Sequence, residues 1–216
     1  MKRCTAEAIG TFALVFAGTG AIVIDDMTHA VTHVGVAMTF GLTVMAMIYT
    51  FGDVSGAHLN PAVTIGFWLA RRLPWRWVVP YIFAQLLGAF VASFAVLWLF
   101  GNRASLGATI PAGSPWQSFF LEAILTGLLM LVILNVSTGP KESGVMAGIA
   151  VGGVIGMEAM FAGPICGASM NPARSIAPAI VSAQLAALWI YVTAPVVGAA
   201  IAVLLWKLIR PCYEVA

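Results

Sequence analysis

The chain has 216 residues, of which 61% are hydrophobic and only 8% are charged. A soluble domain carries about 25% charged residues, so a water-facing surface is excluded, lipid is the solvent for most of the chain, and an all-α membrane bundle is expected. The net charge of +2 offers nothing to a nucleic-acid partner, and Cys4, Cys166 and Cys212 lack the spacing of a disulfide framework or a metal site.

Six apolar segments follow one another at about 5–24, 34–51, 78–100, 116–137, 144–162 and 186–209, each near the roughly 20 residues that a spanning helix needs. The first follows Met1-Lys2-Arg3 and contains Glu7 without a convincing cleavage site, so it reads as a retained span and not a signal peptide. Turn and charge signals separate the segments at Asp25-Asp26, Arg71-Arg72-Leu73-Pro74, Gly101-Asn102-Arg103 and Gly139-Pro140-Lys141-Glu142. Two further apolar stretches, about 60–70 and 171–181, reach only half of a roughly 30 Å hydrocarbon core. Six spans leave little for loops, so residues 1–216 form one domain, with halves of about 1–105 and 106–216.

With the N-terminus inside, Lys2, Arg3, Arg71, Arg72, Arg76, Lys141, Lys207 and Arg210 all fall on the cytoplasmic side, while Arg103 falls outside. Both termini are therefore expected in the cytoplasm. The halves repeat each other: Glu7-Ala8-Ile9 resembles Glu122-Ala123-Ile124, and Gly56-Ala57-His58-Leu59-Asn60-Pro61-Ala62 matches Gly167-Ala168-Ser169-Met170-Asn171-Pro172-Ala173. Three spans separate the copies, so the second enters the membrane from the opposite face. An inverted repeat of this kind places a site near the midplane.

Each Asn-Pro-Ala string is a helix start, with asparagine as N-cap and proline at the first helical position. Two short helices entering from opposite faces meet with their N-termini facing, and each N-terminus carries about half a positive charge. That centre repels cations, hydronium included. Asn60 and Asn171 are expected to donate amide hydrogen bonds into a lumen, holding a passing water or hydroxyl as an acceptor. The stretches Ser55 to Leu59 and Pro164 to Met170 are expected to be non-helical, which is tolerated at membrane depth only beside a wet cavity. Gly56, Ala57, His58, Gly167 and Ser169 then line that cavity with backbone.

These segments resemble the major intrinsic protein family over nearly the whole chain. Val54-Ser55-Gly56-Ala57-His58, Pro111-Ala112-Gly113-Ser114 and Phe161-Ala162-Gly163-Pro164-Ile165-Cys166-Gly167 are most similar to its nodulin-like branch. The resemblance implies six spans with two reentrant half-helices in a right-handed bundle, a homotetramer with one pore per subunit, no cofactor, and passage of water and small neutral solutes across a cell membrane. It also implies a second constriction of four residues, which motif spacing carries to Phe40, Ala159, Ala168 and Arg174. Strictly water-selective members place histidine where Ala159 stands, and glycerol facilitators usually place aspartate where Ser175 stands. Glycerol-sized solutes, and undissociated arsenite or boric acid, follow as expectations. A strictly water-selective pore and a coupled transporter remain as alternatives.

Glu7 and Glu122, at equivalent places in the repeats, are expected to accept hydrogen bonds from the irregular backbone before each half-helix, since bare N–H groups there are costly. Glu158 reads equally as a packing partner or as support for the constriction. His58 is expected to line the inner vestibule, with gating it as the alternative, and Cys166 to be a small apolar residue of the reentrant loop, with a mercury-sensitive pore thiol as the alternative. Gly148, Gly152 and Gly156, like Ala194, Gly198 and Ala202, have the spacing of close helix packing. Tryptophans 68, 75, 77, 98, 116, 189 and 206 read as an interfacial belt. No Ser/His/Asp set, metal cluster or phosphate loop suggests an enzyme.

Overall fold

The structure, a computed structural model, describes residues 1–137 and 144–209. The turn expected at Gly139-Pro140-Lys141-Glu142, together with Arg210 and Cys212, lies outside the described residues. Among the described residues the chain forms eight α-helices: α1 (Lys2–Thr28), α2 (Thr32–Ser55), α3 (Pro61–Leu69), α4 (Val78–Phe100), α5 (Pro115–Val136), α6 (Gly144–Cys166), α7 (Pro172–Val181) and α8 (Leu188–Ile209). Six of these, α1, α2, α4, α5, α6 and α8, are long and apolar enough to cross a membrane. The remaining two have nine and ten residues, about 14 and 15 Å at the α-helical rise. The fold is the expected six-span bundle with two half-spanning helices.

Lipid supplies no hydrophobic drive between helices, so small residues that let backbones approach do the joining. The same device recurs in both halves. Gly88 of α4 lies against the carbonyl of Ala8 on α1, and Gly198 of α8 lies against the carbonyl of Ala123 on α5. At the seam between the halves, α2 meets α6, and a Cβ on Gly41 would stand 2.5 Å from the Gly152 carbonyl oxygen. Each half-helix rests largely on the opposite half, α3 against α8 and α7 against α4.

Two expectations are corrected. Pro164 to Cys166 is helical and not irregular: α6 continues through Pro164 to Cys166. A proline inside a helix strips the carbonyl four residues earlier of its partner. Here that carbonyl belongs to Met160, and Nε2 of His33 donates to it at 2.7 Å. The helix then ends at Gly167, in left-handed backbone at φ 84°. The second correction concerns the belt. Trp75, Trp98 and Trp116 are well exposed, but Trp206 is only 3% exposed and packs in the main core.

Candidate functional site

The two segments ahead of the short helices adopt left-handed backbone at matching positions, Gly56, Ala57 and Leu59 in the first and Gly167, Ala168 and Met170 in the second. A non-glycine residue there costs on the order of 1 kcal/mol, so the conformation must be held from outside. Glu7, buried on α1, accepts from Ser55 Oγ at 2.7 Å, His58 N at 2.9 Å, Leu59 N at 2.7 Å and Gln85 Nε2 at 2.7 Å. Glu122, buried on α5, accepts from Ser169 N and Met170 N, both at 2.8 Å. A tyrosine hydroxyl closes each turn: Tyr81 donates to the Ser55 carbonyl at 2.8 Å, and Tyr191 to the Cys166 carbonyl at 2.7 Å.

Asn60 and Asn171 cap α3 and α7. Asn60 Oδ1 accepts from Ala62 N at 2.8 Å, and Asn171 Oδ1 accepts from Ala173 N at 3.0 Å and Arg174 N at 3.3 Å. The amide nitrogens reach across the midplane. Asn60 Nδ2 donates to the Met170 carbonyl and Asn171 Nδ2 to the Leu59 carbonyl, each at 2.8 Å. One amide hydrogen of each asparagine is thus committed to joining the halves, which leaves one for a solute. Pro61, Ala62, Pro172 and Ala173 are buried and do not border the passage.

A cavity bordered by Asn60, Asn171, Gly56, Ala57, His58 and Ser169 passes through this midplane toward Val136 and Ser137. A second, outer cavity is bordered by Asp25, His33, Thr109 and Gly167. The residues common to both are Phe40, Ala159, Ala168 and Arg174. These four therefore ring the junction between the vestibule and the passage. Arg174 is 3% exposed. Its Nη1 donates to the Gly107 carbonyl at 2.7 Å, and its guanidinium carbon stands 5.0 Å from the centre of the Phe40 ring, within cation–π range. Phe40 in turn sits on Gly18, where any side chain would collide with the ring. The ring thus has one charged donor wall, one aromatic wall and two methyl walls.

Below the midplane, His58 lies face to face with Phe67 at 4.5 Å and edge-on to Tyr81 at 5.3 Å. Thr64 Oγ1 donates to the Asn60 carbonyl at 3.0 Å, so it accepts from Gln85 Nε2 at 3.0 Å and from His58 Nδ1 at 3.2 Å. That assigns the proton to Nδ1 of a ring that borders the passage. The second half replaces this chain with hydroxyls: Ser169 Oγ and Ser175 Oγ are 2.5 Å apart, and Thr109 Oγ1 donates to Ser175 Oγ at 2.8 Å.

Several of these contributors were not evident from sequence. Gln85, Gly107 and Thr109 carry no motif, and Thr64 closes the first Asn-Pro-Ala segment without a role of its own in the sequence reading. The two tyrosines did leave a signal, since each follows its asparagine at nearly the same interval. Cys166 is buried behind the second loop, where its Sγ accepts from Ala168 N at 3.4 Å, and it borders neither cavity. Glu158 is also fully buried, and among the described residues neither of its oxygens has a hydrogen-bond partner.

A family model described as Major intrinsic protein matches residues 1–206. Aquaporin NIP1-4 of Oryza sativa subsp. japonica is 50% identical over 211 residues, covering 97% of this chain and 77% of the relative. Nodulin-26 of Glycine max is 42% identical over 212 residues, covering 97% of this chain and 78% of the relative. Among solved structures, the aquaglyceroporin from Plasmodium falciparum matches with a TM-score of 0.83 at 28% identity, covering 96% of each chain. Paired Asn-Pro-Ala helices capped across one midplane, the family match and relatives of this identity lead to one conclusion: the chain belongs to the major intrinsic protein family.

Proposed function

We propose that this chain is a passive channel of the cell membrane that conducts water and glycerol-sized uncharged solutes and excludes ions and protons. The observation that carries this reading is the ring at the junction of the two cavities. A water-only opening needs bulk on every side, and here Ala159 and Ala168 contribute only methyl groups. A polyol fits the asymmetry: its carbon edge lies against Phe40 while its hydroxyls accept from the Arg174 donors that Gly107 leaves free. Neutral metalloid hydroxides, undissociated arsenite and boric acid, present the same hydroxyl edge and form the further solute class. The names of the relatives, an aquaporin and an aquaglyceroporin, agree with this range.

Both termini are assigned to the cytoplasm. Two of the cations that argue for it, among the described residues, make contacts at helix ends: the Arg3 guanidinium lies over the Trp77 ring at 5.4 Å and Lys207 Nζ reaches the Leu69 carbonyl at 3.4 Å. The assembly is a homotetramer with one pore per subunit, a reading that rests on membership of the family. The activity is conduction and not catalysis.

Stopped-flow light scattering on proteoliposomes tests the reading. Water and glycerol permeability should both exceed those of protein-free vesicles, with native mass spectrometry recording four protomers. Proteoliposomes that pass water but no glycerol would make the pore water-selective.

A further inference from the structure

The α2–α6 pair supplies two walls of the ring, Phe40 from α2 and Ala159 from α6. On the midplane side of these residues, the helices are fixed backbone to backbone, with Gly41 against Gly152 and Gly156. On the outer side they are joined by the hydrogen bond from His33 Nε2 to the Met160 carbonyl, 2.7 Å long. The spacing matters: His33 precedes Phe40 by seven residues, two turns of one helix, and Met160 is the peptide neighbour of Ala159. Phe40 and Ala159 thus lie between the glycine contact and the His33 bond.

Three features make room for that side chain. Pro164 has no N–H, so the Met160 carbonyl is released from its helical bond and is open to a donor from another helix. Gly163 leaves the space the imidazole fills, since a Cβ there would stand 2.9 Å from His33 Cε1. His33 also borders the outer vestibule together with Phe40, Ala159 and Arg174. A carbonyl freed by one helix, a cleft without a side chain and a donor from the facing helix converge on one bond.

We propose that His33 is a specificity-determining positioning residue: its bond to Met160 ties α2 to α6 and sets the width of the ring between Phe40 and Ala159. It touches no solute in this role and acts through the two walls it spaces. The inference rests on the channel reading, and on the ring being where solutes are sorted.

A merely structural histidine would do no more than satisfy the Met160 carbonyl, and the experiment separates the two roles. Glycerol and water permeabilities are measured in proteoliposomes for wild type, His33→Ala, His33→Gln, Pro164→Ala and the His33→Ala/Pro164→Ala double variant, with thermal midpoints in detergent. In the double variant the restored N–H of residue 164 can satisfy the Met160 carbonyl within α6, but no donor crosses from α2. His33→Ala should raise the glycerol-to-water ratio by about threefold or more, a modest coupling for groups in direct contact. His33→Gln, which keeps a donor of similar reach, should stay near wild type. The double variant should recover thermal stability while keeping the raised ratio. A wild-type ratio in a folded His33→Ala or in the double variant would overturn the assignment. If His33→Ala alone fails to fold, the double variant decides. Wild-type water flux reports on the channel reading separately, so the two failures are distinguishable.

Discussion

At Ala159 a methyl group stands where a larger side chain would close the opening, and the other walls cannot compensate. Phe40 is pinned between Gly18 and the Arg174 guanidinium, and Arg174 is tethered to the Gly107 carbonyl. Neither can swing inward without losing its support, so bulk added at position 159 should act directly on the free width. Ala159→His is expected to lower glycerol permeability by about tenfold or more, the scale on which a filled pocket discriminates a carbon chain, while water permeability falls less. The ratio of the two in stopped-flow measurements checks this, and an unchanged ratio would mean that position 159 does not face the solute. Phe40, Ala159, Ala168 and Arg174 could be nominated from sequence because the family resemblance implies a constriction at set distances from the two asparagines. His33 could not, since its partner is 127 residues away and the reason for the contact is a missing N–H at Pro164.

Among the elements, the two irregular segments carry the largest local cost and are the least self-sufficient. Each places left-handed residues side by side without a helix or sheet to absorb its N–H groups. The first half anchors its segment through three bonds to Glu7, which Gln85 of α4 also holds, and the second through two backbone bonds to Glu122, with serine and threonine hydroxyls taking up the rest. Truncating either carboxyl strands buried donors at about 1–3 kcal/mol each. Glu7→Ala should therefore lower the thermal midpoint in detergent more than Glu122→Ala, and neither should alter the solute ratio as much as Ala159→His. Equal midpoints, or altered selectivity at normal stability, would contradict this ordering. The existence of these segments was legible, because Asn-Pro starts a helix and the apolar stretch behind it is too short to span. Their limits were less so. Gly163-Pro164 reads as a breaker on local propensity, yet α6 runs through it because His33 supplies the bond that proline removes. Gln85 was invisible for a different reason: a buried polar residue on a spanning helix has no periodicity that distinguishes it from packing.

Across the whole molecule, exclusion of charge follows from arrangement and not from any one group. The N-termini of α3 and α7 face each other at the midplane and Arg174 stands above them, so a cation meets two like fields in series. Proteoliposomes loaded with a pH dye should show no proton leak beyond that of empty vesicles. Asn171→Asp places a carboxyl where the positive ends meet and should admit measurable cation leak; a tight Asn171→Asp variant of normal fold would sink the assigned role of the helix ends. That midplane also has a lineage written into it. Asn60 donates to the residue before Asn171, and Asn171 donates to the residue before Asn60, so the two bonds close a circuit in which each half is both giver and receiver. This is the grammar of an isologous contact between identical subunits, preserved inside one polypeptide. A substitution in either motif thus removes a donor from its own half and orphans an acceptor in the other.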